Sequence, residues 1–434
     1  MKSIWVEDSP QPQFPTLDGS VKTDVLVIGG GIAGILCSYM LKQAGVDHIL
    51  VEANRICGGI TKNTTAKITL QHGLIYHKLI EKYGPERAKL YLDAQLEALQ
   101  TYERLCSDTP CDYQKQDSYV YSRQKQGIME QEVVALNRLG LGAMFSTDTD
   151  LPFEVAGAVR VKDQAQFHPL KFLTALAKGL PILENTKVQE LKPRKATTNR
   201  GEITCEKIIV ATHFPILNKH GGYFLKLYQH RSYVVALKGA GKLEGMYVDE
   251  DQRGLSFRSF GDLILLGGGS HRTGKKGGAW QELERFAEVY YPQGNILARW
   301  ATQDCMSLDG MPYIGQYSSA TPDVYVATGF NKWGMTSAMV AARVLTDNIC
   351  GKENPYAALF LPQRSVWHPQ LAVNAAESVL GLITPTVPRC PHMGCALKYN
   401  PQEHSWDCPC HGSRFNETGE LIDNPATDDH KGLK

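Results

Sequence analysis

The sequence predicts an α/β protein with an interleaved α+β part and a small all-β module near its C-terminal end. Three observations predict it. The apolar run Asp24-Val-Leu-Val-Ile28 meets Gly29-Gly-Gly31, and a helical stretch and a second apolar run follow at once. That is a β-α-β unit, which takes roughly 30 residues. Short apolar runs then keep alternating with helical stretches as far as Asn348. Finally, four of the eleven cysteines fall within 21 residues near the C-terminus, interleaved with His392 and His411.

The elements follow in order. A Pro-rich arm (Pro10, Pro12, Pro15) leads into the first strand, whose continuous apolar run suits a strand buried on both faces. Residues 31–44 read as a helix closed by Gly45, and residues 48–52 as the second strand. A polar loop spans 53–69. Residues 76–105 are helical, with a break at Gly84-Pro85. Residues 111–160 mix short strands and helices in no order the pattern settles. Pro169 starts a helix to residue 178. Strands are expected at 187–191, 207–212, 232–238, 263–266 and 324–328, and a helix at 334–348. The chain therefore divides into a large domain over 1–364, a connecting segment over 365–388, and a module over 389–434.

Composition narrows the function. Hydrophobic residues are 43% and charged residues 21%, the balance of a folded chain rather than a disordered one. The formal charge of +1 gives no general attraction to nucleic acid or to a membrane surface. No run approaches the roughly 20 apolar residues of a membrane helix, and residues 1–23 lack the apolar core of a secretory signal. A cytoplasmic protein is expected, in which scattered cysteines stay reduced.

Gly29-Gly-Gly31-Ile32-Ala33-Gly34 fits G-x-G-x-x-G, and Glu52 lies 18 residues beyond it. The motif follows a strand and opens a helix, the context a dinucleotide requires. Gly29 permits the turn, Gly31 lets a pyrophosphate approach the backbone, and Gly34 packs helix on strand. The helix N-terminus offers free N–H groups to phosphates. Glu52, followed by Ala53, suits ribose hydroxyls and would repel a 2′-phosphate.

Cys390-Pro-His392 and Cys408-Pro-Cys-His411, with 15 residues between His392 and Cys408, offer two thiolates and two imidazoles. Zinc and a [2Fe–2S] centre both take such a set.

Other motifs carry resemblances. Gly58-Gly-Ile-Thr-Lys-Asn-Thr-Thr-Ala-Lys67, Leu308-Asp-Gly-Met-Pro-Tyr-Ile-Gly315 and Thr328-Gly-Phe-Asn-Lys-Trp-Gly-Met-Thr336 resemble the D-amino acid oxidase/glycine oxidase superfamily of FAD-dependent oxidoreductases, over residues 20–364. The resemblance implies a Rossmann-like FAD-binding domain. It implies that Gly59, Thr61, Thr64, Thr65, Ala66 and Lys67 pass along the pyrophosphate and the ring. It gives Val188 to the adenine, and Ala211 and Thr212 to a second dinucleotide strand, with His213 where the family has glycine. Asp309, Gly310, Gly329, Asn331, Trp333, Gly334, Met335 and Thr336 would lie against the isoalloxazine. Leu265-Leu-Gly-Gly-Gly-Ser-His271 resembles the strand that carries an oxygen-activating lysine in sarcosine-oxidase-like members. The lysine position falls on Gly267, which implies poor reactivity with oxygen, and His271 matches a family active-site histidine. Lys67 and His72 are expected to face the ring, and Arg258 or Arg272 to hold a substrate carboxylate.

Cys390-Pro-His-Met-Gly-Cys-Ala-Leu397, Trp406-Asp-Cys-Pro-Cys-His-Gly-Ser-Arg-Phe415 and Gly419-Glu-Leu-Ile-Asp-Asn-Pro-Ala426 resemble the Rieske family, which decides for the [2Fe–2S] cluster over zinc. The resemblance implies that Cys390 and Cys408 ligate one iron and His392 and His411 the other. It implies a disulfide between Cys395 and Cys410, as in respiratory-type members, and a hydrogen bond from Ser413 to the cluster sulfur. Residues 365–389 are too short for the larger strand-rich part of usual Rieske domains. The module must therefore lean on the flavin domain. The joint pattern resembles bacterial Rieske-containing FAD oxidoreductases over nearly the whole chain.

The expected function is oxidation of a small amine- or amino-acid-like substrate by hydride transfer to FAD. Electrons then leave singly through the cluster to an acceptor protein or quinone. Reverse flow, from a donor protein through the cluster to FAD, and a non-catalytic electron-transfer or redox-sensing role are the alternatives.

Overall fold

The structure, a computed structural model, describes residues 2–216, 220–250, 254–385 and 388–433. Thr386 and Val387 of the expected connecting segment, and the chain positions 1 and 434, lie outside the described residues.

The first expected strand, Val21–Ile28, becomes the centre of an eight-stranded sheet, buried throughout its last four residues. It pairs in parallel with His48–Val51 on one side and Glu202–Val210 on the other. Ile182–Leu183 extends the first side, and Thr321–Thr328 and then antiparallel Tyr313–Ser318 extend the second. The hairpin Val188–Lys192/Lys195–Thr198 hangs from Glu202–Val210. Helices Ile32–Gln43 and Gly334–Ile349 pack on each other against this sheet. Strands from three distant parts of the chain thus end side by side, which gathers a ligand site from residues far apart in sequence.

A nine-stranded sheet faces it, in the order Asn295–Ser307, Leu227–Lys238, Leu263–Arg272, Ser256–Phe260, Gly245–Asp249, Gln114–Ser122, Gly157–Gln166, Lys67–Ile68, with Ala143–Ser146 beside Gly157–Gln166. The unordered stretch 111–160 resolves here into strands around helix Gln126–Arg138. The helical stretch after residue 75 is two helices, Tyr76–Tyr83 and Pro85–Ser107, divided at Gly84 with φ +82°. Two strands are longer than expected: Leu227–Lys238 against 232–238, and Leu263–Arg272 against 263–266. Their extra halves are polar because they face a cavity on one side and the C-terminal module on the other, so hydrophobic pattern ends where functional surface begins.

The expected connecting segment holds a helix, Pro369–Ile383, whose N-terminus is capped by His368 Nδ1 accepting from the Gln370 N–H at 3.3 Å. Beyond it, Lys398–Asn400, Ser405–Asp407, Arg414–Asn416 and Leu421–Asp423 form a small antiparallel sheet. This sheet is docked on the large domain. Arg231, 3% exposed, makes a forked ion pair with Glu403, 9% exposed. Arg414 binds Glu403, Asp407 and Asp423, each at 2.9 Å. Burial pushes the Glu403 carboxyl up, but the guanidinium groups of Arg231 and Arg414 outweigh it and hold it below its ordinary range. Among the described residues, no helix is long and apolar enough to cross a membrane.

Candidate functional site

A cavity of about 1100 Å³ lies where the carboxyl ends of the central strands meet Leu227–Lys238 and Leu263–Arg272. Every residue expected to hold the dinucleotide lines it, except Gly34, Ala66, Asp309, Gly310 and Thr336. Gly34 sits behind the wall, as its packing role requires. A Cβ there would lie 1.8 Å from the Gly29 carbonyl oxygen. Gly29, at φ +108°, approaches the next strand so closely that a Cβ would meet the Ala211 oxygen at 2.6 Å. Gly31, the N-cap of helix Ile32–Gln43, has no side-chain cap. The Ile32 N–H goes to Thr61 Oγ1 at 3.0 Å, and the rest of the first turn presents its N–H groups and positive dipole end to the cavity. Glu52 accepts from the Gly30 N–H (2.7 Å) and the Asn54 N–H (2.9 Å), which aims its carboxylate along the wall. Burial pushes that carboxyl up. His213 takes φ +65° where the family has glycine, and its Nε2 meets Gln229 Oε1 at 3.1 Å. A wall with bare helix N–H groups, a fixed carboxylate and no Cβ at Gly31 fits FAD.

The other end of the cavity is polar. Tyr228, His230 and Ser232 alternate along one strand, with Ser270 and Arg272 beside them. Asp304 and Lys332 complete the patch. Asn331 (φ +51°) and Lys332 (φ +72°) are successive left-handed residues, a local strain that persists only where surroundings enforce it. Asn331 is the enforcement: its Oδ1 accepts from the Ser307 N–H (2.8 Å), its Nδ2 donates to Gly329 O (2.6 Å), and its N–H donates to Cys305 O (3.0 Å). Burial pushes the Asp304 carboxyl up against the pull of Lys332, His213 and Arg231. Burial also pushes the Lys332 ammonium down, opposed by Asp304. His230 is driven down to about 3 by burial and by the charges of Lys332 and Arg272, so it is neutral at pH 7. The sequence reading missed Tyr228, His230, Asp304 and Lys332. The alternating Tyr-x-His-x-Ser of one strand was the available signal.

Of the five side chains expected at the reacting centre, Lys67 and Arg272 line the cavity. Burial, then the nearby Arg258 charge, pulls the Lys67 pKa down to about 7. His72 lies behind the wall. It stacks on Trp333 at 5.2 Å, bonds Tyr91 Oη at 2.6 Å and Thr336 Oγ1 at 3.0 Å, and burial drives it down to about 3. Arg258 is fully buried with its Nη1 spent on the carbonyls of Thr65 (2.7 Å) and Ala66 (2.8 Å), so it supports the loop before Lys67 and does not reach a substrate. His271 meets Tyr233 Oη (3.0 Å) and the Arg272 carbonyl (2.9 Å), and Tyr233 Oη meets Glu403 Oε1 (3.0 Å), so this histidine faces the small module. Asp309 is likewise committed elsewhere: Arg364 binds both its oxygens at 2.7 Å and holds it below its ordinary range against its burial.

The C-terminal module places Cys390, Cys408 and His411 in its interior, all at most 2% exposed. The rings of His392 and His411 stand 4.9 Å apart at 85°. Neither ring nitrogen of His411 meets a nitrogen or oxygen partner, and the ring lies beside the Cys408 sulfur. A buried imidazole left so would cost about 1–3 kcal/mol, which a metal bond removes. Cys390 and Cys408 are hydrogen-bonded to each other, and Ser413 bonds the Cys390 sulfur. These residues fit a [2Fe–2S] cluster. Cys395 and Cys410 are neighbours, with their sulfurs and that of Cys408 all within 4.8 Å, and they are free thiols rather than the implied disulfide. Gly381 of helix Pro369–Ile383 covers them: a Cβ there would lie 2.4 Å from Cys410 Sγ.

Two family models match the chain: FAD dependent oxidoreductase over residues 24–348, and Rieske [2Fe-2S] domain over residues 363–434. The chain is an FAD-dependent oxidoreductase with a C-terminal Rieske domain. The Rieske match includes helix Pro369–Ile383. The oxidoreductase is 33% identical to the Rieske 2Fe-2S iron-sulfur protein YhfW of Bacillus subtilis, over 98% of this chain and 96% of that one. It is 23% identical to the gamma-glutamylputrescine oxidoreductase of Escherichia coli, over 80% and 88% of the two chains. Its fold is similar to that of glycine oxidase from Geobacillus kaustophilus, with TM-score 0.67 at 17% identity, covering 80% of this chain and 99% of that one. The oxidoreductase binds FAD in its large domain and a [2Fe–2S] cluster in its small one.

Proposed function

We propose that this oxidoreductase oxidises a small amine- or amino-acid-like substrate and passes the electrons singly through its Rieske domain to an external acceptor, a protein or a quinone. The observation that carries the reading is a single cavity whose wall belongs to both domains: Leu421–Asp423, Asn424, Ala426 and Thr427 of the Rieske domain line it together with the dinucleotide glycines. When bound, FAD accepts an electron pair as hydride and the cluster takes one electron at a time.

The chain's own residues then have these roles. Gly29, Gly31 and the helix N-terminus hold the pyrophosphate, Glu52 the ribose hydroxyls, and Val188 the adenine edge. Residues 329–335 and Thr64 to Lys67 line the ring. Lys67, neutral above about pH 7, takes the proton of a substrate ammonium. Asp304 receives a cationic nitrogen and Lys332 an anionic group. Arg258 and His72 support this wall from behind. Cys390, Cys408, His392 and His411 hold the cluster.

The test is an anaerobic spectral titration against amines, N-methyl amino acids and amino acids, followed by low-temperature EPR. Flavin bleaching by a member of the panel, together with a Rieske-type signal, supports the reading. A flavin that no member bleaches, beside a cluster that only a reduced donor protein fills, overturns it in favour of reverse flow.

A further inference from the structure

Arg272 ends strand Leu263–Arg272 on the cavity wall, with its guanidinium 5.1 Å from the ring centre of Tyr228, another wall residue. Its donors are spent across the domain boundary. Nε donates to the Pro409 carbonyl (3.2 Å), Nη2 to the Cys410 carbonyl (3.2 Å), and Nη1 to Asn374 Oδ1 (2.9 Å) on helix Pro369–Ile383. Asn374 is 1% exposed and donates onward to the Leu225 carbonyl at 3.0 Å. One side chain therefore touches the cavity, the loop between Cys408 and His411, and the helix that covers Cys395 and Cys410.

Around it the domains meet almost backbone to backbone. A Cβ at Gly274 (φ +74°) would lie 2.8 Å from Cα of Pro409, and one at Gly412 (φ +90°) 2.3 Å from Cγ of Gln229. Gln303 locks the contact: its Nε2 donates to the Gly412 carbonyl and its Oε1 accepts from the Thr273 hydroxyl, both at 2.9 Å. The histidine side of the Rieske domain is turned toward the same boundary. Phe214 lies 6.3 Å from the His392 ring and 6.4 Å from the His411 ring, and Phe224 lies 6.2 Å from the His411 ring.

We propose that Arg272 is the positioning residue that couples the flavin cavity to the iron–sulfur loop. Its fork fixes the loop Cys408-Pro-Cys-His411 at one distance and angle from the cavity. Its charge favours the reduced cluster, which carries one more negative charge than the oxidised one. The proposal rests on the functional reading above. Oxidation of an amine to an imine releases two electrons and two protons. The electrons leave as two single transfers to two equivalents of a one-electron acceptor, and the protons go to solvent.

The experiment compares the holoprotein with Arg272→Met and Arg272→Lys. The flavin is photoreduced with EDTA as the electron source, because the substrate is not yet known. Cluster reduction is followed by freeze-quench EPR, and the cluster potential by EPR-monitored titration. FAD content, iron content and melting temperature report on folding. We expect Arg272→Met to shift the cluster equilibrium about tenfold toward the oxidised form, about 59 mV for one electron, and to slow flavin-to-cluster transfer about tenfold. Arg272→Lys keeps the potential but not the rate, because an ammonium keeps the charge and cannot bridge two carbonyls and an amide. Wild-type potential and rate in Arg272→Met with full cofactor content overturns the proposal. If Arg272→Met loses its cofactors, wild-type transfer in Arg272→Lys overturns it. Absence of transfer in the unsubstituted protein overturns the functional reading, and the proposal with it. Normal transfer there that neither variant changes overturns the proposal alone.

Discussion

Removing the Glu403 carboxylate tests how firmly the Rieske domain is held. Glu403→Ala deletes the forked partner of Arg231, whose side chain is 3% exposed. Arg231 keeps only Asp423, at 3.8 Å, whereas Arg414 keeps Asp407 and Asp423 at 2.9 Å each. Tyr233 keeps His271, and Asn400 keeps Asp407 at 3.1 Å. One buried guanidinium is therefore left poorly compensated, and breaking such a pair costs about 3–5 kcal/mol. The remote Asp423 places the cost at the low end, about 3 kcal/mol, or roughly 150-fold in an opening equilibrium. Amide hydrogen exchange reads this locally, because a docked module opens as a unit below the global unfolding energy. Exchange in Ser405–Asp407 and Arg414–Asn416 should quicken by that factor. Adding Arg231→Met should recover about half of the loss, because it removes the stranded charge. A change of less than about threefold in Glu403→Ala, or strict additivity of the two substitutions, would refute the reasoning. The pH sign is set as well. Because Glu403 titrates below its ordinary range, its contribution is complete above the unfolded value of about 4.3. It is lost only as pH falls through the lower folded value, so the protection factors of these strands, which are the intrinsic amide rate divided by the observed exchange rate at each pH, should not respond between about pH 5 and 8.

Other outcomes follow from the same geometry. Flavin reduction by substrate should rise with pH through about 7 as Lys67 loses its proton, and Lys67→Met should abolish that inflection and slow reduction by about 10²-fold or more, measured by stopped-flow. Gly34→Ala should purify with little FAD, because its Cβ would lie 1.8 Å from a backbone oxygen and overpacking of that kind costs about 1–3 kcal/mol or more. His411→Ala should lose the Rieske EPR signal and half or more of the bound iron while keeping its flavin spectrum, since His411 lines the module and not the cavity. Substrate-reduced protein should reoxidise slowly in air, because Gly267 brings no cation to the cavity wall.

Much of the fold was legible because it is written locally. The glycine turn, the first two strands and the break at Gly84-Pro85 each rest on residues adjacent in sequence. The cluster loops were legible for the same reason: four ligand candidates fall within 22 residues. The candidate site was less so. Arg258 and Asp309 have the right chemistry for a substrate or a ring, yet one is held by the carbonyls of Thr65 and Ala66 and the other by Arg364, 55 residues away. Arg231 and Glu403 are separated by 172 residues, and Arg272 and Cys410 by 138. Nothing local in either partner announces such pairs. The helix Pro369–Ile383 was hidden because its apolar residues serve two ends: Gly381 is buried on the sulfurs, while Val379, Leu380, Leu382 and Ile383 are exposed, so no single face reads as core.

The cavity wall has an order in time as well as in space. Its earliest residues, Ile28 and Gly29, leave the ribosome long before its last, Ala426 and Thr427. Asn424 of that late segment donates to the carbonyls of Thr212 and Phe214, beside the dinucleotide strand. A nascent chain that has already formed its central sheet still has an open flavin cavity until the Rieske sheet folds onto it. Flavin retention therefore waits on the last segment of the chain during biosynthesis: a chain released before Leu421 should accumulate poor in flavin although its dinucleotide motif is complete.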